Sequence, residues 1–153
     1  METTIFNVLD FVLGCGKQDV PVPFDGRMNL DMLFEAVTGF RLGVEYDGAY
    51  WHQGREHSDR RKAEALVASG FVHELIRIRE RPLRLIGPLD ITVPRAASGQ
   101  EIAAIVLAHL GHTVAYDFGE LACERLDFAL YRPGRAIDSN RVACGGCRRI
   151  MSR

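Results

Sequence analysis

Residues 41–62 read RLGVEYDGAYWHQGREHSDRRK and combine an apolar run with two acidic residues, a glycine, two aromatic residues, a histidine and a charged segment. Apolar and polar residues alternate through its first seven positions, which predicts a β-strand. Such a strand places Glu45 and Asp47 on one face, about 7 Å apart at ~3.3 Å per residue. Gly48 then predicts a sharp bend, and a charged helix follows.

The two carboxylates predict a metal site. Neighbouring carboxylates repel each other, and a hard divalent cation such as Mg²⁺ relieves that repulsion and activates water. His52 lies shortly beyond the acids and titrates near neutrality, so it can exchange a proton with water. The plainer interpretation is an exposed acidic pair, a structural histidine and a core Trp51.

A resemblance supports the catalytic interpretation. EYDGAYWH, preceded by LDMLF and followed by SDRRKAEALVASGFVHELIRIRE, resembles the PD-(D/E)XK nuclease superfamily. It is most similar to the branch with the very-short-patch-repair endonuclease and small proteins that read ExDGxxWH. The resemblance covers residues 27–94. It implies an α/β fold, a restriction-endonuclease-like core with a central mixed sheet flanked by helices, and DNA phosphodiester hydrolysis with Mg²⁺ or Mn²⁺.

The resemblance also implies site residues. Asp31, Glu45 and Asp47 correspond to the metal-binding acids, and His52 corresponds to the assisting histidine. The lysine that usually follows the second acid by two residues is absent, because Asp47 occupies its place. The group that activates water therefore stays open among His52, Lys62 and water on the metal itself.

Basic side chains surround the start of the charged helix. Acidic residues predominate in residues 1–50, and basic residues predominate in 55–84 and 132–153. This distribution predicts metal binding in the first part and phosphate contacts in the others. The expected DNA contacts are Arg55, Arg60, Arg61 and Lys62. Pairing with Glu56, Asp59 and Glu64 along the helix is the alternative for these side chains.

The remaining pattern predicts the order of elements. We expect a helix over 3–14, a proline-bearing loop over 17–27, and strands over 28–36 and 41–51 joined by a turn at 37–39. A helix over 59–70 with Ser58 as its N-cap precedes a strand from Leu75, parallel to the previous one because a helix connects them. A short strand at 91–93 and a helix over 99–111 follow, then a strand and a short helix beyond residue 112.

The C-terminal part carries a CxxC motif. We expect residues 1–112 to form the nuclease-like core and residues 113–153 to form an extension packed on the same domain. Cys144 and Cys147 would supply half of a zinc site. Its other half would come from Cys15, from Cys123 or from the pair His109 and His112. A redox pair or an inert loop is the alternative.

Composition limits the remaining classes. The chain has 153 residues, 47% of them hydrophobic and 25% charged, with a net charge of −1. These values predict one globular domain in the cytoplasm, and the sequence shows no apolar run of membrane-spanning length. DNA is the expected partner, and a homodimer would allow both strands to be cut. The rival functions are an inactive nuclease-like binding module and a zinc-stabilised interaction protein.

Overall fold

The computed structural model describes residues 1–131. Five strands and five α-helices follow one another, with a 3₁₀ turn before the last helix. The helices are α1 (Glu2–Leu13), α2 (Ala49–His52), α3 (Glu56–Ala68), α4 (Gly99–His112) and α5 (Glu120–Leu130). The strands are β1 (Gly16–Pro21), β2 (Asn29–Glu35), β3 (Arg41–Asp47), β4 (Glu74–Glu80) and β5 (Ile91–Val93), and the 3₁₀ turn is Ala115–Phe118.

The strands form one mixed sheet in the order β1-β2-β3-β4-β5. The first three strands are antiparallel, whereas β3, β4 and β5 are parallel. The α/β class and the mixed sheet flanked by helices are therefore confirmed. The parallel pairing of β3 with β4 is also as predicted, because α3 carries the chain back to the starting edge.

Each face of the sheet packs against different helices. One face carries Leu42, Val44, Ile76 and Ile78, which pack in the main apolar cluster with α1, α4 and α5. The opposite face holds a smaller cluster that includes Leu30, Leu75 and Leu66 of α3. The alternation in β3 and β4 decides this division, since successive side chains of a strand point to opposite faces.

The prediction of a loop over residues 17–27 is wrong in its first part, because Gly16–Pro21 forms β1. This strand lacks apolar alternation and is held by its pairing with β2. It lies at the edge of the sheet, where proline is tolerated because an edge strand has unpaired N–H positions. Cys15 and Asp19 have φ values of 52° and 49°, so the strand is locally irregular.

Four other local predictions are corrected. The strand expected over 41–51 ends at Asp47, because Ala49–His52 forms α2. The strand expected beyond residue 112 is wrong, because that segment forms the 3₁₀ turn and α5. Ser58 is not the N-cap of α3, which begins at Glu56, and its hydroxyl donates to the Arg55 carbonyl. Gly48 has an ordinary φ of −66°, and a Cβ there would meet its nearest atom at 4.0 Å. The bend at this position therefore does not require glycine.

The zinc prediction falls partly outside the described residues, because Cys144 and Cys147 lie beyond residue 131. Among the expected partners, Cys15 is exposed and Cys123 is partly buried on α5. His109 is 3% exposed, and its Nε2 lies 2.8 Å from the Leu89 carbonyl oxygen. This nitrogen is therefore occupied in joining α4 to the loop before β5.

We expect His109 to make stability fall on acidification. Burial lowers the pKa of His109 below its ordinary value. A histidine with a depressed folded pKa binds a proton more readily when unfolded, so stability is lost as pH falls from about 6.5 through the folded pKa. Urea denaturation at pH 7.5 and pH 5 measures this loss.

His109→Gln should reduce that pH dependence, because the amide keeps a donor but does not titrate in this range. His57→Gln is the matched control, since His57 is an exposed histidine on α3 and is not among the groups that shift the pKa of His109. The prediction would be contradicted if the free energy of unfolding of His109→Gln differed between pH 7.5 and pH 5 by as much as that of the native protein.

No helix within residues 1–131 has the length and apolar character needed to cross a membrane.

Candidate active site

Strand β3 presents Glu45 and Asp47 to the face covered by α3, as the alternation predicts. Glu45 is 2% exposed and Asp47 is fully buried. The side chains of the smaller apolar cluster pack directly against the backbone of β3 at Gly43, because this residue lacks a side chain. A Cβ there would lie 2.7 Å from Leu75 Cδ1. The sequence therefore places both acids, buried, on the face of the sheet that α3 covers.

Two buried arginines compensate Asp47. Arg77 Nε and Nη2 donate to the two Asp47 oxygens at 2.8 and 2.6 Å, and Arg79 Nη1 donates at 2.7 Å. Arg77 is 1% exposed and Arg79 is fully buried. Burial by itself lowers the pKa of Arg77, but the hydrogen bonds and charge of Asp47 outweigh it and raise the pKa. The expected repulsion is thus absent at Asp47, because both of its oxygens accept from guanidinium groups.

Helix α3 contributes Asp59 to the same network. Asp59 Oδ2 lies 3.4 Å from Arg79 Nη2 and 3.0 Å from His52 Nδ1. His52 Nδ1 also lies 3.5 Å from Asp47 Oδ1. Because ionised carboxylates only accept hydrogen bonds, Nδ1 is the nitrogen that donates to them. Asp59 therefore fixes the orientation of the predicted catalytic histidine.

Glu45 has a different partner. Lys62 Nζ lies 2.8 Å from both carboxylate oxygens of Glu45, but only the contact with Oε2 has the geometry of a hydrogen bond. Glu45 Oε1 is buried and lacks a hydrogen-bond donor among the described residues. Burial raises the pKa of Glu45, the charge of Asp31 raises it further, and Lys62 opposes both. Glu45 is therefore the incompletely compensated acid of the pair.

Asp31 lies where β2 and β3 separate. The paired register of these strands ends at Met32 opposite Val44, one residue short of Asp31 and Glu45. Beyond this point Asp31 Oδ2 accepts the backbone N–H of Tyr46 at 2.8 Å. The antiparallel hairpin thus brings Asp31 next to Glu45, as expected, and Asp31 is partly buried.

The structure divides the predicted acids between two environments. Within residues 1–131, three side chains lie close enough together to bind one metal ion: Asp47, His52 and Asp59. One potential ligand atom from each lies within 4.8 Å of the other two. Asp31 and Glu45 lie outside this group. A divalent cation among those three would also lie beside two guanidinium groups that already balance Asp47 and Asp59. Glu45 is compensated by Lys62 Nζ at 2.8 Å and by Arg77 Nη1 at 3.4 Å, whereas no ion pair within the described residues involves Asp31.

The predicted DNA contacts also separate into two kinds. Arg55, Arg60 and Arg61 are exposed, and within the described residues no ion pair joins them to Glu56, Asp59 or Glu64. Lys62 is instead only 24% exposed and is directed to Glu45. Tyr50 and Trp51 are 75% and 70% exposed, so Trp51 is not a core residue.

Sequence reasoning missed Arg77, Arg79, Asp59 and Glu80 as members of this site. A usable signal existed, because charged residues two positions apart occur in both β3 and β4. In the parallel pair, Glu45 lies beside Arg77 and Asp47 lies beside Arg79. Alternating acids on one strand and alternating arginines on the next strand thus indicate buried pairs between them.

Searches of protein-family models, curated proteins and solved structures yield no match. The superfamily resemblance of EYDGAYWH accordingly stays a prediction.

Proposed function

We propose that this protein is a metal-dependent endonuclease that hydrolyses DNA phosphodiester bonds. One observation carries the proposal: Glu45 is a buried carboxylate beside Asp31, and its Oε1 accepts no hydrogen bond of good geometry within the described residues, although Lys62 Nζ lies 2.8 Å away. Oxygen ligands of this kind suit Mg²⁺ or Mn²⁺, which are commonly held by one or two carboxylates together with water and substrate phosphate. The five-stranded mixed sheet, with α3 on the face that carries Glu45 and Asp47, supports a restriction-endonuclease-like core.

Asp31 and Glu45 are the proposed metal ligands. Their positions on adjacent antiparallel strands agree with the arrangement that the resemblance implies. When bound, the metal would polarise the phosphate and lower the pKa of the attacking water. Asp47 has a structural role in this proposal, because its hydrogen bonds with Arg77 and Arg79 join β3 to β4 beneath the site.

Lys62 is the proposed cation beside the metal ligands. It reaches Glu45 from α3, and its ammonium group takes the place of the positive charge that is missing two residues after Glu45. There it can steady the attacking water or the phosphate. His52 lies on the other side of the network, where its Nδ1 is 3.0 Å from Asp59 Oδ2.

We expect Lys62→Met to lower the cleavage rate by about 10²-fold or more, in line with the loss of one electrostatic or proton-transfer group. Removing His52 by substitution with alanine should have a smaller effect than Lys62→Met under the same conditions. Single-turnover rates at saturating Mg²⁺ measure both changes. Arg61→Ala is the matched control, because it removes the neighbouring exposed cation and should weaken DNA binding with little change in that rate. A larger loss in His52→Ala would make His52 the base.

The basic surface supports DNA as the substrate. Arg55, Arg60 and Arg61 are exposed around α3, next to the helix residues that reach the acids. Phosphate contacts by such side chains make binding dependent on salt. Each of these arginines that contacts phosphate should contribute to the slope of log affinity against log salt concentration.

Supercoiled plasmid tests the proposal directly. The protein should nick it with Mg²⁺ or Mn²⁺, and chelation should stop the reaction. The same ions should raise the melting temperature of the native protein, since a ligand that binds only the folded state stabilises it. Nicks without linear product indicate a monomer, whereas linear product with a dimeric elution volume indicates a homodimer.

The inactive binding module is the second candidate, and the charge balance around Asp47 favours it. Three carboxylates and three cations neutralise one another in this network without a metal: Glu45, Asp47, Asp59, Lys62, Arg77 and Arg79. DNA binding without cleavage, and no melting shift with either ion, would support the module over the enzyme.

A further inference from the structure

Glu80, the last residue of β4, holds both sides of the bend at Gly48. Its Oε1 accepts the hydroxyl hydrogen of Tyr46 at 2.6 Å, and its Oε2 accepts the backbone N–H of Ala49 at 2.9 Å. Tyr46 belongs to β3, and Ala49 is the first residue of α2. One carboxylate therefore joins the end of β3 to the start of the short helix that carries His52.

Helix α2 needs such an anchor. It has four residues, and an isolated helix of this length is unstable in water. No side chain caps it at Gly48, and within α2 only Ala49 is buried. The exposed Tyr50 and Trp51 contact each other edge to face at 4.8 Å between ring centroids, which buries little apolar surface. The bond from Ala49 to Glu80 satisfies one of the backbone donors that a helix start leaves unpaired.

The anchor is connected to the proposed metal ligands through Tyr46. The backbone N–H of Tyr46 donates to Asp31, while its side chain donates to Glu80. Burial and the bond with Glu80 raise the pKa of Tyr46, so its hydroxyl stays protonated as a donor. The end of β3 is thus fixed from both neighbouring strands.

We propose that Glu80 is a positioning residue that fixes α2 and thereby holds His52 beside Asp59. Its effect on catalysis rests on the nuclease function proposed above, whereas its effect on the position of α2 does not. The position of α2 can be measured without an activity assay, because Trp51 is the sole tryptophan of the chain and lies within α2.

Amide hydrogen exchange and Trp51 fluorescence anisotropy test the proposal on the full chain. In Glu80→Ala, the Ala49 amide should exchange about tenfold faster or more, since a charge-assisted hydrogen bond is lost. Trp51 anisotropy should fall, while the amide of Ile78 in the centre of β4 keeps its native exchange rate. Glu80→Gln should restore most of the protection, because its amide oxygen can accept from Ala49.

Glu74→Ala is the matched control, since Glu74 is at the opposite end of the same strand. It should leave both Ala49 exchange and Trp51 anisotropy at native values. If Ala49 exchange and Trp51 anisotropy are unchanged in Glu80→Ala, the positioning role is overturned. The role is also overturned if the Ile78 amide exchanges faster by the same factor as the Ala49 amide in Glu80→Gln, because the loss of protection is then global.

An activity measurement adds the catalytic consequence. If the native protein cleaves plasmid, Glu80→Ala should lower kcat with a smaller change in KM, because substrate binding does not require a fixed His52. A native protein without cleavage would remove the nuclease proposal and leave the exchange result as the deciding test of Glu80. Unchanged kcat in Glu80→Ala with faster Ala49 exchange would overturn the catalytic consequence.

Discussion

Asp31→Asn should reduce metal-dependent cleavage by about 10³-fold or more, because a metal ion contributes several kcal/mol to the transition state and each 1.36 kcal/mol is tenfold in rate. The fold should persist. The oxygen of the introduced amide can still accept the Tyr46 N–H that Asp31 accepts at 2.8 Å, so the substitution removes charge and keeps the hydrogen bond. The rise in melting temperature with Mg²⁺ should disappear together with activity.

Asp19→Asn is the control for this substitution. Asp19 is on the neighbouring strand β1, and both Asp19 and Asp31 raise the pKa of Glu2, so they belong to the same acidic region. Asparagine tolerates the positive φ of 49° at this position better than most residues. A control that loses as much activity as Asp31→Asn would mean that general negative charge, not a specific ligand, supports the reaction. Full activity in Asp31→Asn would remove Asp31 from the metal site.

Much of the fold was predictable from local pattern. Alternation in residues 41–47 correctly placed Glu45 and Asp47 on one face, because the strand period is insensitive to the rest of the chain. The hairpin of β2 and β3 correctly brought Asp31 next to Glu45, since a short turn leaves little freedom of register. A helix between β3 and β4 correctly predicted that they are parallel.

The compensation of Asp47 was not predictable in the same way. Arg77 follows Asp47 by thirty residues, and the pairing between them depends on the register of two parallel strands joined by α3. Local pattern shows that Arg77 and Arg79 share a face, but it does not show which face or which partners. The sequence pattern therefore predicts a repelled acid at Asp47, whereas two guanidinium groups donate hydrogen bonds to it.

β1 shows a second limit. Its residues have no apolar alternation, and a proline ends it, so no local signal favours a strand. The strand exists because β2 offers a free edge with which its backbone can pair. Pairing of this kind depends on tertiary structure, and intrinsic strand preference contributes little to it.

Asp47→Asn should destabilise the protein by about 3–5 kcal/mol, because removing one member of a buried ion pair leaves an uncompensated buried charge. Here two arginines lose their charged acceptor, and the introduced side chain would point an amide N–H₂ group at guanidinium donors. For a chain of this size the change corresponds to a fall in melting temperature of roughly 10 °C. Metal-free protein shows the effect, so the measurement is independent of catalysis.

Urea denaturation of Asp47→Asn, Arg79→Leu and the double variant separates charge from packing. The double variant should lose less than the sum of the single losses, because the introduced amide then faces one buried guanidinium instead of two. Asp117→Asn is the control, since Asp117 is exposed in the 3₁₀ turn and should change stability by less than about 0.5 kcal/mol. If Asp47→Asn is as stable as this control, the buried network does not hold the fold, and Asp47 is available to a metal as the resemblance implies.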